Sequence, residues 1–285
     1  VGSRYNDSHD MMVTLKKKGG NNVFDFYQFS LVPIGEPLEG IFSTNSITLQ
    51  TTPTDWHAPY QMSAVNDADG DAVDSHHWTG GNHEYTNTGT GGTPTARTAS
   101  VIFVADGKAV TEGSGYCNRL EILWTDFSQA YNTKKADGTG REVLESRHIM
   151  TFDGVKWETK TELEPLEDIL MDVSYGLQVV CGGLYDKVRY YGAVNRAEYE
   201  TTSVKTTSGN KDATALYWHG DEHAVMLEID PTFDIGDRRF YGGTDGIFTA
   251  EYGKGYCNFF ENTPLAAGNI YSFRGSYQFT PYRGN

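Results

Sequence analysis

The sequence predicts an all-β protein, an antiparallel β-sandwich of jelly-roll-like architecture, and three observations support this prediction. Apolar and polar residues alternate with a period of two along many short segments, whereas helical periodicity is almost absent. Turns rich in Gly, Asn and Asp separate these segments. Strands that follow one another without crossover helices form antiparallel sheets that pack face to face. We therefore expect one sandwich domain over residues 1–285, with long loops at 66–95 and 129–141.

Individual strands follow from the alternation. In Lys156–Glu164 the odd positions are apolar or Thr and the even positions are mostly charged, and Asn269–Phe279 alternates Tyr, Phe and Gly with polar residues. Asp153-Gly154 predicts a tight hairpin between two strands, and Leu163–Met171 is the best candidate for a short helical turn. Further strands are predicted at Phe24–Val32, Ile41–Gln50, Arg97–Ala105, Arg119–Thr125, Arg147–Phe152, Leu177–Cys181, Val188–Gly192, Ala224–Ile229 and Ile247–Tyr252.

Composition excludes several classes of protein. The net charge of −15 argues against a nucleic-acid partner, because neutralising phosphates needs a basic surface. No apolar run approaches the roughly 18 residues of a membrane-spanning helix. The three cysteines, Cys117, Cys181 and Cys257, are too few and too widely spaced for a disulfide framework, and we expect small buried or half-buried thiols.

The same composition, polar and rich in Tyr and Gly, is typical of an extracellular or virion-associated protein. The first residues lack a basic segment followed by an apolar one, so we expect a processed form or a piece of a longer chain.

Histidines gather in the first part of the chain. His57, His76, His77 and His83 lie near Trp78 and Gly80-Gly81, a combination that suits a sugar cleft, since aromatic faces stack on sugar rings and His transfers protons near neutral pH. A solvated polar loop is the competing interpretation. His148 is a further candidate, with a buried, hydrogen-bonded core histidine as its alternative.

Metal and cofactor sites are not predicted. His219 and His223 have the spacing of two ligands on a helix, but Gly220 and the strand that follows favour a surface turn. Residues 66–71 resemble the first half of a calcium loop without its terminal Glu, so a polar turn is favoured, with Ca²⁺ as the alternative.

Basic residues are few and grouped. Lys134, Lys135 and Arg141 lie in the second long loop, and Arg119, Arg147 and Lys254 lie on predicted strands. A local basic patch on an acidic protein could receive an acidic polysaccharide. An ordinary solvated loop explains the first group equally well.

One segment resembles a known family. Glu251–Asn258 resembles the Tyr-x-Lys-x-Gly-x-Tyr-x-Gln strand of jelly-roll polysaccharide lyases of the alginate-lyase type, with Tyr252, Lys254 and Tyr256 at shorter spacing. Arg119-Leu-Glu121 is similar to that family's Arg-x-Glu strand, whereas its Gln-Ile-His strand is missing here. The whole chain, with its many short predicted strands and polar loops, also resembles the enzymatic or receptor-binding region of a phage tail protein.

The resemblance implies β-elimination next to a uronic acid, which needs a carboxylate neutraliser, a base and an acid but no metal. Asn82 would neutralise, assisted by Arg147 or Gln178. His83 or His148 would be the base, and Tyr256 or Tyr175 the acid. Substrate would be bound by His57, Trp78, Lys134, Arg141 and Lys254.

Two alternatives stay open. In a non-catalytic glycan-binding or phage receptor-binding module, the same aromatic residues would stack on sugar and the histidines would be incidental. In a glycoside hydrolase, two facing glutamates would act as a pair, and the candidates on predicted strands are Glu121, Glu158, Glu162 and Glu228.

Overall fold

The protein is built almost entirely of β-strands. The computed structural model describes residues 1–35, 46–51, 55–66, 77–85, 92–111, 116–135, 139–154, 156–180, 183–192, 194–232, 247–250 and 253–284. Its strands are β1 (Gly2–Arg4), β2 (His9–Lys18), β3 (Val23–Pro33), β4 (Ile47–Thr51), β5 (Tyr60–Ala64), β6 (Trp78–Thr79), β7 (Ala96–Ala105), β8 (Lys108–Val110), β9 (Leu120–Gln129), β10 (Glu142–Phe152), β11 (Trp157–Pro165), β12 (Ile169–Val180), β13 (Lys187–Gly192), β14 (Glu198–Ser203), β15 (Ser208–Asn210), β16 (Ala213–His219), β17 (His223–Ile229), β18 (Ile247–Ala250), β19 (Lys254–Leu265) and β20 (Tyr271–Pro281). Within these ranges the helical element is one 3₁₀ turn, Tyr131–Thr133. The described residues therefore contain no helix that is long and apolar enough to cross a membrane.

The strands form three sheets whose neighbours are all antiparallel. The large sheet has ten strands in the order β14-β13-β16-β17-β20-β11-β10-β9-β7-β8. A four-stranded sheet follows the order β1-β2-β3-β4, and a six-stranded sheet the order β15-β18-β19-β12-β5-β6. The predicted fold class, an antiparallel sandwich, is confirmed.

The two smaller sheets cover the inner face of the large one. Phe29 of the four-stranded sheet stacks on Phe279 of β20 at a ring-centroid distance of 4.3 Å. Phe259 of the six-stranded sheet stacks on Phe273 of the same strand at 4.1 Å. One hydrophobic cluster with members from all three sheets fills the space between them. Burying these rings excludes water from both interfaces and stabilises the sandwich.

The alternation predicted for the large sheet is present. In β11, Trp157, Thr159, Thr161 and Leu163 are buried while the residues between them are exposed or half-buried. The predicted hairpin joins β10 to β11, with Phe152 paired to Trp157 and their rings stacked at 4.2 Å.

Some local predictions differ from the structure. The candidate helical turn at Leu163–Met171 is the end of β11, a tight turn and the start of β12, because both arms find antiparallel partners in the sheets. Cys257 is buried as expected, but Cys117 is exposed, and Cys181 lies outside the described residues. Residues 41–45 of a predicted strand and 67–71 of the calcium-like loop also lie outside them.

Candidate functional site

Three aromatic side chains and a lysine form a row across the six-stranded sheet. Its strand order places β6, β12 and β19 so that Trp78, Tyr175 and Tyr256 come together. The ring centroids of Trp78 and Tyr175 are 5.0 Å apart, and those of Tyr175 and Tyr256 are 4.6 Å apart. Lys254 Nζ lies 5.0 Å from the centroid of Tyr256. This aromatic row, Trp78–Tyr175–Tyr256–Lys254, offers flat apolar faces next to a cation.

A histidine–carboxylate pair lies at the Trp78 end of the aromatic row. His83 Nε2 is 3.2 Å from Asp55 Oδ2, and the His83 and Trp78 rings are 6.1 Å apart. Asp55 is buried and also accepts a hydrogen bond from the backbone N–H of Asn82. A carboxylate on one ring nitrogen fixes the tautomer and leaves the other nitrogen as a proton acceptor. That nitrogen, His83 Nδ1, is shielded from solvent and has no hydrogen-bond partner among the described residues.

Glycine makes the approach of this loop to Asp55 possible. Gly81 has a φ of +50°, and a Cβ added there would lie 2.3 Å from Asp55 Oδ1. The loop is braced from the other side by Asn21, whose side-chain amide donates to the carbonyl groups of Gly81 and His83 at 2.9 Å each. The His83–Asp55 pair is therefore held by contacts on both sides.

The charge of Lys254 is sensitive to its surroundings. Burial lowers the pKa of Lys254 to about 8, the nearby Asp55 carboxylate opposes this shift, and the positive charge of Lys18 adds to it. An anion bound beside Lys254 would relieve the repulsion between the two lysines. The aromatic row thus ends at a position that favours a negatively charged group.

Behind this surface lies a set of ionisable side chains in the core, which we call the buried ionic network. Its members are less than a tenth exposed, apart from the partly buried carboxylate of Asp126, and they are Lys18, Asp25, His57, His148 and Asp126.

The contacts of the network run from the small sheet to the large one. Asp25 Oδ1 lies 2.9 Å from His57 Nδ1, and Asp25 Oδ2 lies 3.7 Å from Lys18 Nζ. The His57 and His148 rings are 5.4 Å apart, and His148 Nε2 lies 3.6 Å from Asp126 Oδ2. Buried charges are costly unless they are paired or neutralised, so each member must be compensated by its neighbours.

The two carboxylates of the network are compensated in opposite ways. Burial raises the pKa of Asp25, but Lys18, His57 and the backbone N–H of Phe26 outweigh it, and the net pKa lies well below the usual range. Burial raises the pKa of Asp126 to about 7. Burial also lowers the pKa of His148, and the neighbouring His57 adds to this shift. Asp25 is therefore ionised and His148 is neutral at pH 7, whereas Asp126 is mostly protonated only below that pH.

A small cavity separates the two halves of the network. It has a volume of about 20 Å³ and is lined by both histidines and both carboxylates of the network, with Gly81 at one side. This space is large enough for one water molecule but too small for a sugar ring. Among the predicted site residues, His57 and His148 are therefore placed behind the aromatic row rather than beside it.

Predicted site residues fall into three groups. Those brought together along the aromatic row and beside it are Asn82, His83, Trp78, Tyr175, Tyr256 and Lys254, and of these Tyr256 is itself buried. Those buried beneath are His57, His148 and Gln178. Those placed elsewhere are Arg147, Lys134 and Arg141.

The buried and distant residues have defined partners. Gln178 donates from its amide to the carbonyl of Tyr175 at 3.0 Å and also to that of Ala58, which supports the backbone under the site. Arg147 lies on the opposite face of β10 from His148 and forms ion pairs with Glu145 and Glu164.

The remaining two basic residues lie in the second long loop. Lys134 lies over the ring of Tyr85 at 5.1 Å, and Arg141 forms an ion pair with Glu167 at 2.5 Å.

Other candidate sites do not assemble in the described part of the chain. His219 and His223 flank the turn between β16 and β17. No group of three or more His, Cys, Asp or Glu side chains in this part could hold a metal ion.

The four candidate glutamates of a hydrolase are paired with basic residues. Glu121 pairs with Arg119, Glu162 with Lys160, Glu158 with Lys156, and Glu228 with Lys156 and Arg196.

Two carboxylates central to the site were not assigned from the sequence. Asp55 directly precedes Trp56-His57. Its partner His83 lies 28 positions further along the chain, and no pattern in the sequence indicates that the two side chains meet. Asp25 offers a clearer signal, since it is a charged residue within Val23–Pro33, a strand buried along nearly its whole length. A charge in such a strand requires a buried partner.

No protein-family model matches the chain, and no curated protein matches it. Among solved structures the chain is similar to the galactosidase domain of an α-galactosidase–sucrose kinase, with 7% identity, a TM-score of 0.49, and coverage of 98% of this chain and 40% of that one. It is also similar to the α-galactosidase from Lactobacillus brevis, with 10% identity, a TM-score of 0.47, and coverage of 98% and 39%.

A third similar structure is the galactose 1-epimerase from Lactobacillus acidophilus, with 10% identity, a TM-score of 0.40, and coverage of 99% and 98%. The chain spans about two fifths of the two galactosidase structures. These are β-rich proteins named for activities on carbohydrates, and similarity at this level does not define an activity for the present chain.

Proposed function

We propose that the protein acts on an acidic, uronate-containing glycan and cleaves it by β-elimination at the aromatic row. The observation that carries this proposal is the convergence of Trp78, His83, Tyr175, Tyr256 and Lys254 from three distant segments of chain. Flat aromatic faces, an oriented imidazole and a cation in one place are the groups that this substrate and reaction need.

Each group has a role in the proposed reaction. Trp78 and Tyr175 stack on sugar rings, and Lys254 neutralises the uronate carboxylate, which makes the C5 proton more acidic. The partly exposed imidazole of His83 takes that proton, the electron pair of the C5–H bond forms the C4–C5 double bond, and the C4–O4 bond breaks. The hydroxyl of Tyr256 donates a proton to the leaving oxygen. Asn82, whose side chain lies against Gly19, contributes its backbone N–H to holding Asp55.

The first experiment measures the ultraviolet absorbance of unsaturated uronyl ends during incubation with a panel of uronate polysaccharides. We expect the wild type to produce absorbance on at least one of them. His83→Ala should reduce the rate by about 10²–10⁴-fold, the usual contribution of a positioned base. His9→Ala, a histidine of β2 away from the aromatic row, is the matched control and should keep the wild-type rate. Equal rates for the two variants would count against the role of His83.

A non-catalytic glycan-binding module is the second candidate, and the continuous stacking of three rings is the observation that favours it. In that case the wild type binds uronate glycans on an array without shortening them, and His83→Ala binds equally well. Trp78→Ala should weaken binding by about fivefold in either case, because a stacked ring contributes about 1 kcal/mol. Release of reducing ends without absorbance would instead indicate a hydrolase.

A further inference from the structure

We infer that Asp25 is the positioning residue of the candidate site, because it fixes the short segment that presents Asp55 to His83. This inference rests on the proposed function only for its kinetic test. Asp25 touches none of the groups assigned to substrate, and its effect passes through residues 55–57.

Both oxygens of Asp25 are used on that segment. Oδ2 accepts a hydrogen bond from the backbone N–H of Trp56 at 3.0 Å, and Oδ1 lies 2.9 Å from His57 Nδ1. Oδ1 also accepts from the backbone N–H of Phe26 on its own strand at 2.8 Å. Asp55 is the residue immediately before this clamped pair, so its carboxylate is placed by the same contacts.

The carbonyl side of the segment is held by uncharged groups. The carbonyl of Trp56 accepts from the hydroxyl of Tyr277 and from the backbone N–H of Gln178, both at 3.0 Å. The carbonyl of Ala58 accepts from the Gln178 amide. Asp25 therefore supplies the ionic part of an anchor whose other contacts are neutral, and charge-assisted hydrogen bonds are the stronger kind.

Asparagine cannot replace Asp25 in this arrangement. Two N–H groups from residues 56 and 57 converge on two carboxylate oxygens, and in Asp25→Asn one of them would face an NH₂ group. The substitution would also remove the carboxylate 3.7 Å from Lys18, which keeps its hydrogen bond to the carbonyl of Phe26, and Lys18 acts on the charge of Lys254. Both consequences reach the candidate site without any change in the residues that line it.

The test compares Asp25→Asn with Asp126→Asn, a carboxylate of the same network whose described hydrogen bonds and ion pair go to Thr98, Trp124 and His148 rather than to residues 55–57. Asp25→Asn should lower kcat on the uronate substrate by about 10²-fold, as misplacement of a catalytic group does, whereas KM changes little. In ¹⁵N spectra of histidine-labelled protein, the His83 ring should lose its fixed tautomer in Asp25→Asn and keep it in Asp126→Asn. Wild-type kcat together with a wild-type His83 spectrum in Asp25→Asn would overturn the inference.

A second pair of variants covers the case in which Asp25→Asn does not fold. His57→Gln removes the Nδ1 contact with Asp25, while Thr159→Val removes only the hydroxyl 3.1 Å from His57 Nε2. The His83 spectrum should change in His57→Gln and stay unchanged in Thr159→Val, and equal spectra in the two would contradict the inference. If the wild type cleaves no glycan, the proposed function fails, and these spectra still decide whether Asp25 positions the His83–Asp55 pair.

Discussion

At the scale of single residues, Lys254 is a group whose protonation changes within the range of ordinary buffers. Its pKa of about 8 follows first from burial, with Lys18 acting in the same direction and Asp55 against it. The ammonium form therefore dominates at pH 7, and the neutral amine dominates at pH 9. A carboxylate on the substrate is attracted only by the first of these forms.

The affinity for a uronate polysaccharide should accordingly fall by about tenfold as the pH rises from 7 to 9, since the charged fraction of Lys254 falls by about that factor. Lys254→Arg should remove this dependence because a guanidinium stays charged over the whole range. Lys254→Met should bind weakly at both pH values. Affinity electrophoresis in gels containing the polysaccharide measures all three, and a parallel loss in wild type and Lys254→Arg would exclude Lys254 as the titrating group.

Strands and loops could be predicted from the sequence to different degrees. Strands β10, β11 and β20 follow directly from alternation, because one of their faces is buried against the smaller sheets. The segment 163–171 does not, since Pro165 and the acidic turn give no periodic signal and only pairing with neighbouring strands makes it extended.

The residues of the candidate site could also be predicted from the sequence to different degrees. Trp78, His83, Tyr256 and Lys254 are conspicuous by their chemistry and could be selected from the sequence. The role of Asp25 could not, because its contact with His57 joins positions 32 residues apart and depends on how the sheets stack. Sequence reveals the reactive groups, and the fold decides which of them meet.

The turn between β10 and β11 tests whether backbone conformation alone can make glycine necessary in a hairpin. Gly154 has a φ of +95°, and nothing lies within 4 Å of an added Cβ, so only backbone conformation opposes a side chain there. Gly154→Ala should lower the free energy of unfolding by about 1–2 kcal/mol. Gly183→Ala is the matched control, with the same open space but without a positive φ, and should change stability by less than about 1 kcal/mol. Urea unfolding compares them, and equal losses would mean that the positive φ of Gly154 does not set the cost.

In the molecule as a whole, charged groups on the surface and ionisable groups in the core are stabilised in different ways. The chain carries a net charge of −15, and most ion pairs in its described part lie on exposed or half-buried strand faces, where each adds little stability. In the buried ionic network, ionised Asp25 is matched by Lys18, and burial raises the pKa of Asp126 to about 7, so that its carboxyl is mostly protonated below that pH. At mildly acidic pH the charges of Asp25 and Lys18 therefore balance, although the chain as a whole is strongly acidic.

This balance predicts how the stability of the whole fold depends on pH. The pKa of Asp126 is about 7 in the folded protein and about 4 in the unfolded chain, so between these values the folded state binds more protons. The stability that protonated Asp126 contributes is then present at low pH and is lost as the pH rises from 4 to 7, by up to about 1.4 kcal/mol per pH unit.

Asp126→Asn imitates the protonated acid and should lack this loss, so its advantage over wild type in urea unfolding should grow from pH 5 to pH 7 and then level off. Unfolding free energies of wild type and Asp126→Asn that run parallel from pH 5 to pH 8 would show that Asp126 is already ionised in the folded core.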